Sequence, residues 1–256
     1  MTTTSPGTVL VTGAARRIGR AIALDFADQG WSVAVHYGRS AEDAQAVVAE
    51  IARKGAKAVA LAADLAVEAE VLSLLPRAAE ALGPVTCLVN SASTFEMDDH
   101  QTATRATWDR HIEINLRAPF VLCQAFADQL PAGADGNIVN LLDQRVWSLT
   151  PYFMSYTVSK SALWTLTRTL ALAMAPRIRV NGIGPGPTLA SKFQSDDQFD
   201  RQWQRMPLRR GTTPEEICRA LRFILATPSM TGQMIALDGG QHLGWAQPEQ
   251  IDAADG

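Results

Sequence analysis

Tyr156 and Lys160 stand four residues apart in the run YTVSKSALWTLTRTLALAM. Its apolar residues recur at helical spacing, so both side chains project from one face of one helix. A phenol, with an ordinary pKa of roughly 10, is a poor acid at neutral pH, but a neighbouring ammonium favours its charged form. Lowering it by about three units requires about 4 kcal/mol of differential interaction, which one close cation in a partly dry site can supply. The pair is therefore expected to act as a general acid and the group that tunes it. Tyrosine and lysine at this spacing are common on helices, so the pair takes its weight from its place in the chain. It closes the stretch DQRVWSLTPYFMSYTVSK, which opens on Asp143.

The elements that must position this stretch are legible as alternating apolar runs. Strands are expected at residues 8–12, 32–36, 58–62, 87–90, 137–142, 178–183 and 233–237. Between them lie helical patterns at 42–54, 67–82, 107–130 (interrupted near Pro119), 156–174 and 214–226, the last opened by a Thr213 cap and Pro214. An earlier helix follows the first strand, with Ile18, Ile22 and Phe26 on one face. Short connections at this period imply parallel pairing with right-handed crossovers. No repeat, charge block or linker divides the chain, so residues 1–256 are expected to form one α/β domain, a doubly wound, Rossmann-type parallel sheet. Residues 188–212 are polar and lack a settled period, which fits a flap over a substrate site.

The turn TGAARRIG after the first strand opens a helix, the context in which a backbone approaches a pyrophosphate and a helix N-terminus stabilises its charge. Arg17 stands where a third glycine is usual, so a guanidinium faces the phosphate region or the mouth of the site. After the second strand the chain reads His36-Tyr37-Gly38-Arg39-Ser40, with no carboxylate before Glu42. Arg39 and Ser40 offer a fork and a hydroxyl suited to a phosphate dianion, so NADP(H) is expected rather than NAD.

Composition narrows the class. A chain of 256 residues that is 47% hydrophobic builds an ample core, and a net charge of -3 provides no general attraction to nucleic acid. Cys87, Cys123 and Cys218 fit neither a disulfide framework nor a zinc site and are read as small hydrophobes. His100 and His111 have no partners at ligand spacing, so no metal is expected and both are read as surface or helix residues. Glu96, Asp98 and Asp99 are read as a solvated acidic loop. Without an N-terminal signal pattern or a long apolar run, a soluble cytoplasmic protein with no membrane partner is expected.

Taken together, these residues resemble the short-chain dehydrogenase/reductase family over nearly the whole chain. Thr12-Gly13 with Gly19, Asp64-Leu65, Asn90-Ser91-Ala92, Asn115, Tyr156 with Lys160, and Pro185-Gly186 occur in that family's order and spacing. The resemblance implies that Tyr156 donates a proton and that Lys160 binds the nicotinamide ribose and tunes the tyrosine. It also implies that Asn115 supports a water chain to the lysine, that Asp64 contacts adenine, and that the turn 90–92 lines the cofactor. The implied cofactor set includes Gly13, Arg17, Ile18, Gly19, His36, Tyr37, Arg39, Ser40, Leu65, Pro185, Gly186 and Thr188.

One position departs from the family. Thirteen residues before the tyrosine, where a serine usually hydrogen-bonds the reacting carbonyl, this chain has Asp143. An ionised carboxylate cannot donate that bond and repels a developing alkoxide, whereas it accepts from the N–H groups of an amino-pyrimidine or, protonated, passes a proton to ring nitrogen. The chain is similar here to the pteridine reductases and dihydromonapterin reductases, which share Arg17, the 36–40 loop and the Asp143/Tyr156/Lys160 set. In that subgroup the aromatic matching Phe95 stacks the pterin against the nicotinamide, and the serine matching Ser93 hydrogen-bonds pterin and cofactor. The expected activity is NADPH-dependent reduction of a pterin-like substrate, with dihydrofolate or dihydromonapterin among the candidates. A carbonyl or 3-oxoacyl reductase is the alternative, and a nucleotide-binding protein without turnover a further one. By the same resemblance a homotetramer is expected.

Overall fold

Short runs that are apolar throughout need cover on both faces, and here they become the strands of one parallel sheet. The structure is a computed structural model that describes residues 6–190 and 195–244. Strands β1 (Thr8–Val11), β2 (Ser32–Tyr37), β3 (Ala58–Ala62), β4 (Val85–Asn90), β5 (Gly136–Leu141), β6 (Ile178–Pro185) and β7 (Met234–Leu237) lie in the order β3-β2-β1-β4-β5-β6-β7. Every neighbouring pair is parallel. The seven expected strands are all present, within three residues at each end.

Alternation along β1 sends Val9 and Val11 into one helical layer and Leu10 into the other. The first layer is formed by α1 (Arg17–Asp28), α2 (Ala41–Arg53) and α8 (Pro214–Ala226), the second by α3 (Glu68–Leu82), α5 (Ala118–Gln129) and α6 (Met154–Met174). The order reverses between β1 and β4, so the chain leaves their C-terminal ends in opposite directions and opens a crevice there.

Two segments differ from expectation. The pattern at 107–130 is not one interrupted helix but α4 (Arg105–Ile112), a π-helical turn (Glu113–Arg117) and α5, and that wide turn carries Asn115. Within the expected flap, Asp196–Gln204 is helix α7, opened by a Ser195–Gln198 capping box. Its sequence hides this, because only Phe199 and Trp203 mark an apolar face, and the Trp203 indole anchors them by donating to the Pro187 carbonyl at 2.9 Å. Residues 191–194 of the expected flap lie outside the described residues. All three cysteines are buried and free, as small hydrophobes. No helix among the described residues is long and apolar enough to cross a membrane.

Arg179 on β6 donates to the carbonyls of Ile224, Leu225, Thr227 and Met230, capping the C-terminal end of α8. Arg179→Ala strands those acceptors. Urea unfolding is expected to read a loss of about 3 kcal/mol, in line with hydrogen bonds to a charged donor.

Candidate active site

The crevice between β1 and β4 is a cavity of about 560 Å³. Its shape depends on two close approaches. Gly13, at φ +65°, passes so near the turn after β4 that an added Cβ would lie 2.9 Å from the Ala92 Cα, and one on Gly19 would lie 2.3 Å from the Gly13 carbonyl oxygen. Of the expected cofactor residues, Gly13, Arg17, Ile18, Gly19, His36, Arg39, Asp64, Leu65 and Ala92 line this cavity, as does Ser93. Arg39 is exposed and makes no ion pair among the described residues, whereas Arg16, also on the wall, is held by Asp43.

His36 lines it from below, and other expected members stand back from it. His36 is buried beneath the glycine turn: its Nδ1 accepts from the Gly13 N–H at 3.0 Å, which places its proton on Nε2, 3.1 Å from the Ala63 carbonyl. Burial lowers its pKa to about 4. The Asn90 side chain points into the sheet and donates to Asn140 Oδ1 at 2.8 Å, so only the backbone turn beyond it reaches the crevice. Tyr37 packs on the core, Ser40 precedes α2, and Pro185, Gly186 and Thr188 lie at the end of β6, away from the cavity lining.

Arg17 occupies its expected glycine position in the left-handed region, at φ +53°. Its guanidinium lines the cavity and also donates to the carbonyls of Leu189 and Ala190, joining the phosphate-type turn to the start of the flap.

The expected acid, Tyr156, meets the residues that follow the C-terminal end of β5. Tyr156 donates to Asp143 Oδ2 at 2.8 Å, while Asp143 Oδ1 accepts from the Arg145 backbone N–H at 2.8 Å. Burial, then the Asp143 charge and hydrogen bond, hold the phenol well above its ordinary value, against smaller opposing pulls from Arg145 and Ser93. The expected lysine-lowered phenol is thus reversed. The Lys160 ammonium donates to the Leu141 carbonyl at 2.8 Å and lies 5.8 Å from the phenol ring centre. Burial lowers its own pKa to about 8. Tyrosine and lysine do share a buried helix face, but burial, with the Asp143 carboxylate second, keeps the proton on the phenol.

Asn115 is fully buried and holds the loop after β4: it accepts from the Thr94 N–H and the Ser93 hydroxyl, and donates to the Thr94 carbonyl and the Ser159 hydroxyl. Thr12 holds the same loop from below, its hydroxyl accepting from the Ser91 and Ala92 N–H groups. Phe95 is half-exposed, but one of its faces is stacked on Phe153, with centroids 4.4 Å apart and planes 9° from parallel.

Phe153 and Arg145 were not among the expected site residues. The Arg145 guanidinium lies 3.4 Å from Asp143 Oδ2, and 5.4 and 5.0 Å from the Phe95 and Phe153 ring centres. Their position inside the stretch between Asp143 and Tyr156 was the available signal. Asp98 and His111, read as solvated loop and surface or helix, are both buried behind Tyr156. Glu96 instead pairs with Arg110, and Trp147 lies edge-on to His242.

A family model described as enoyl-(acyl carrier protein) reductase matches residues 13–242. An NADP complex of FolM alternative dihydrofolate reductase 1 from Brucella canis superposes with a TM-score of 0.92 at 47% identity, covering 96% of this chain and 98% of that one. Its Brucella suis counterpart, also with NADP, gives 0.91 at 48% identity, covering 97% and 99%. A 3-oxoacyl-[acyl-carrier-protein] reductase, FabG, from Staphylococcus epidermidis is 33% identical, covering 91% of this chain and 98% of its own.

Protonating His36 breaks its bond from Gly13. Its folded pKa, near 4, lies below the ordinary 6.5, so the unfolded chain takes up the proton first as pH falls. Stability is therefore full above pH 6.5 and is lost progressively toward pH 4, by about 3 kcal/mol from this group. In His36→Asn the amide oxygen takes the Gly13 N–H without titrating. The stability difference between wild type and variant, measured by urea unfolding, is expected to shift against the wild type by that amount between pH 7 and 4.

Proposed function

The chain belongs to the short-chain dehydrogenase/reductase family, and on that premise we propose that it is an NADPH-dependent oxidoreductase acting on the C=N bond of a dihydropterin, dihydrofolate included. The observation that carries this reading is the Tyr156–Asp143 hydrogen bond of 2.8 Å. A carboxylate in that position suits a substrate that presents N–H groups and a ring nitrogen, and opposes one whose oxygen gains negative charge. Brucella relatives named as alternative dihydrofolate reductases support the same reading.

The groove fits the cofactor by its own features: a glycine turn at the start of α1, a wall close enough that side chains are excluded at Gly13 and Gly19, and an exposed, unpaired Arg39 where a 2'-phosphate needs a cation. NADPH, when bound, supplies the hydride. Gly13, Gly19 and the α1 N-terminus would hold the pyrophosphate, Arg39 and Ser40 the 2'-phosphate, and Lys160 the nicotinamide ribose.

Tyr156 and Asp143 relay a proton to ring nitrogen as the neighbouring carbon is reduced, with a proton from solvent replacing the one the phenol gives up, so that the two groups do not stand as adjacent anions. Arg145 offsets the carboxylate's charge in this half-buried site. Phe95, half-exposed and backed by Phe153, is the ring offered to stack on the substrate. The exposed Val158 and Leu172 on α6 support self-association, and light scattering tests the expected tetramer.

The rival reading, a carbonyl or 3-oxoacyl reductase, draws support from the FabG relative and the enoyl reductase model. Asp143→Ser separates the two. Dihydropterin kcat/KM, followed by NADPH absorbance, is expected to fall at least about 100-fold; an unchanged value, or faster turnover of simple 3-oxoacyl esters by the wild type, sinks the pterin reading. Arg39→Ala is expected to weaken NADPH about 10-fold or more in a fluorescence titration while leaving NADH binding as it was, because only NADPH carries the phosphate.

A further inference from the structure

Behind the acid lies a second group of polar side chains that the chemistry above leaves unused. Asp98, His111 and Ser155 have exposures of 1%, 0% and 0% and meet one another directly. The His111 Nε2 accepts from the Glu96 N–H at 3.1 Å, so its proton is on Nδ1, which donates to the Ser155 hydroxyl at 2.7 Å. That hydroxyl in turn donates to Asp98 Oδ2. Proton direction is therefore set along the whole chain, from a neutral imidazole to a carboxylate.

A buried carboxylate needs such donors, and this one has a further partner in the helix it faces. Helix α6 begins at Met154, and its N-cap residue, Phe153, offers no side-chain cap. Asp98 takes that role from another loop: its Oδ1 accepts from the Ser155 N–H at 3.3 Å and its carbonyl accepts from the Phe153 N–H at 2.7 Å. The second bond holds Phe153 at φ +59°, a conformation that a bulky residue adopts only when its surroundings impose it.

These bonds join three elements at one point, adjacent in sequence to Tyr156. The loop after β4 contributes Asp98, α4 contributes His111 and α6 contributes Ser155. The same loop carries Phe95, which stacks on the held Phe153 and meets the Tyr156 ring edge-on at 4.7 Å. We propose that Asp98, Ser155 and His111 are positioning residues: they clamp the Phe95–Phe153 wall against Tyr156 and so set how the substrate ring is received, without touching it. The pterin reading supplies only the identity of that ring.

Ser155→Ala removes the hydroxyl between His111 and Asp98 while leaving the backbone cap in place. With NADPH bound, amide exchange across residues 93–104 is expected to rise about 10-fold, with exchange in β1, β4 and β5 unchanged. The KM for dihydropterin is expected to rise about 10-fold, with kcat and NADPH affinity within about 2-fold of wild type, and Ser155→Thr is expected to restore both readings. In a cycle with Phe95→Ala, the two substitutions are expected to be less than additive in KM. Unchanged exchange in the loop overturns the clamp, as do additive effects or equal losses of substrate and NADPH binding. A wild-type protein inactive on every dihydropterin overturns the substrate reading instead, and loop exchange then judges the clamp alone.

Discussion

One proton shared between Tyr156 and Asp143 governs the character of the site. Both groups are largely removed from water, and two negative charges within hydrogen-bond distance there would be strongly unfavourable, so the phenol keeps its proton and donates it. The pair therefore holds one proton and one net negative charge. A neutral donor in place of Asp143 would stabilise a developing alkoxide; a carboxylate there opposes one. Arg145 makes the arrangement tolerable, with its guanidinium against the carboxylate and over two aromatic rings. A carboxylate that accepts from a backbone amide through one oxygen keeps a fixed orientation.

The fold serves that interaction by bringing strand ends together. Asp143 follows β5 and the loop bearing Phe95 follows β4, while Lys160 donates back to the last residue of β5. Because β4 and β5 are paired in register from Cys87–Asn137 to Asn90–Asn140, a slip of one residue would turn Asn90 and Asn140 out of their buried bond. Thr167 extends the same chain into α6, accepting from Asn140 at 2.9 Å. Buried polar groups in the sheet thus fix the height of the helix that carries the acid.

The strands and the nucleotide groove were readable in the sequence because their signals are local. An apolar run closed by glycine, or a loop without a carboxylate before Glu42, can be recognised within ten residues. Helix α7 escaped because a polar helix held by two aromatic residues has too little periodicity to register. The Asp98–Ser155–His111 group escaped for another reason: its members are 44 and 57 residues apart, and a lone aspartate in an acidic loop looks solvated until the helix it caps is in place. The sign of the tyrosine shift escaped because spacing reveals which groups are neighbours but not how deeply the phenol is buried or which neighbour holds its hydrogen bond. Lys160 was the conspicuous partner in sequence, yet its ammonium is committed to a backbone carbonyl.

Departures from local backbone preference gather near the substrate side. Of the three non-glycine residues with positive φ among the described residues, Arg17 holds the start of the flap and Phe153 backs the aromatic wall. Each such conformation costs on the order of 1 kcal/mol or more, and each is held by hydrogen bonds to distant parts of the chain. A protein selected only for stability would place glycine at both positions. Glycine at 17 would lose the guanidinium that joins cofactor turn to flap, and glycine at 153 would lose the ring that orients Phe95. Strain at these two residues is thus the physical consequence of placing large side chains at the edge of a nucleotide-binding crevice: they occupy positions where the backbone alone would favour none.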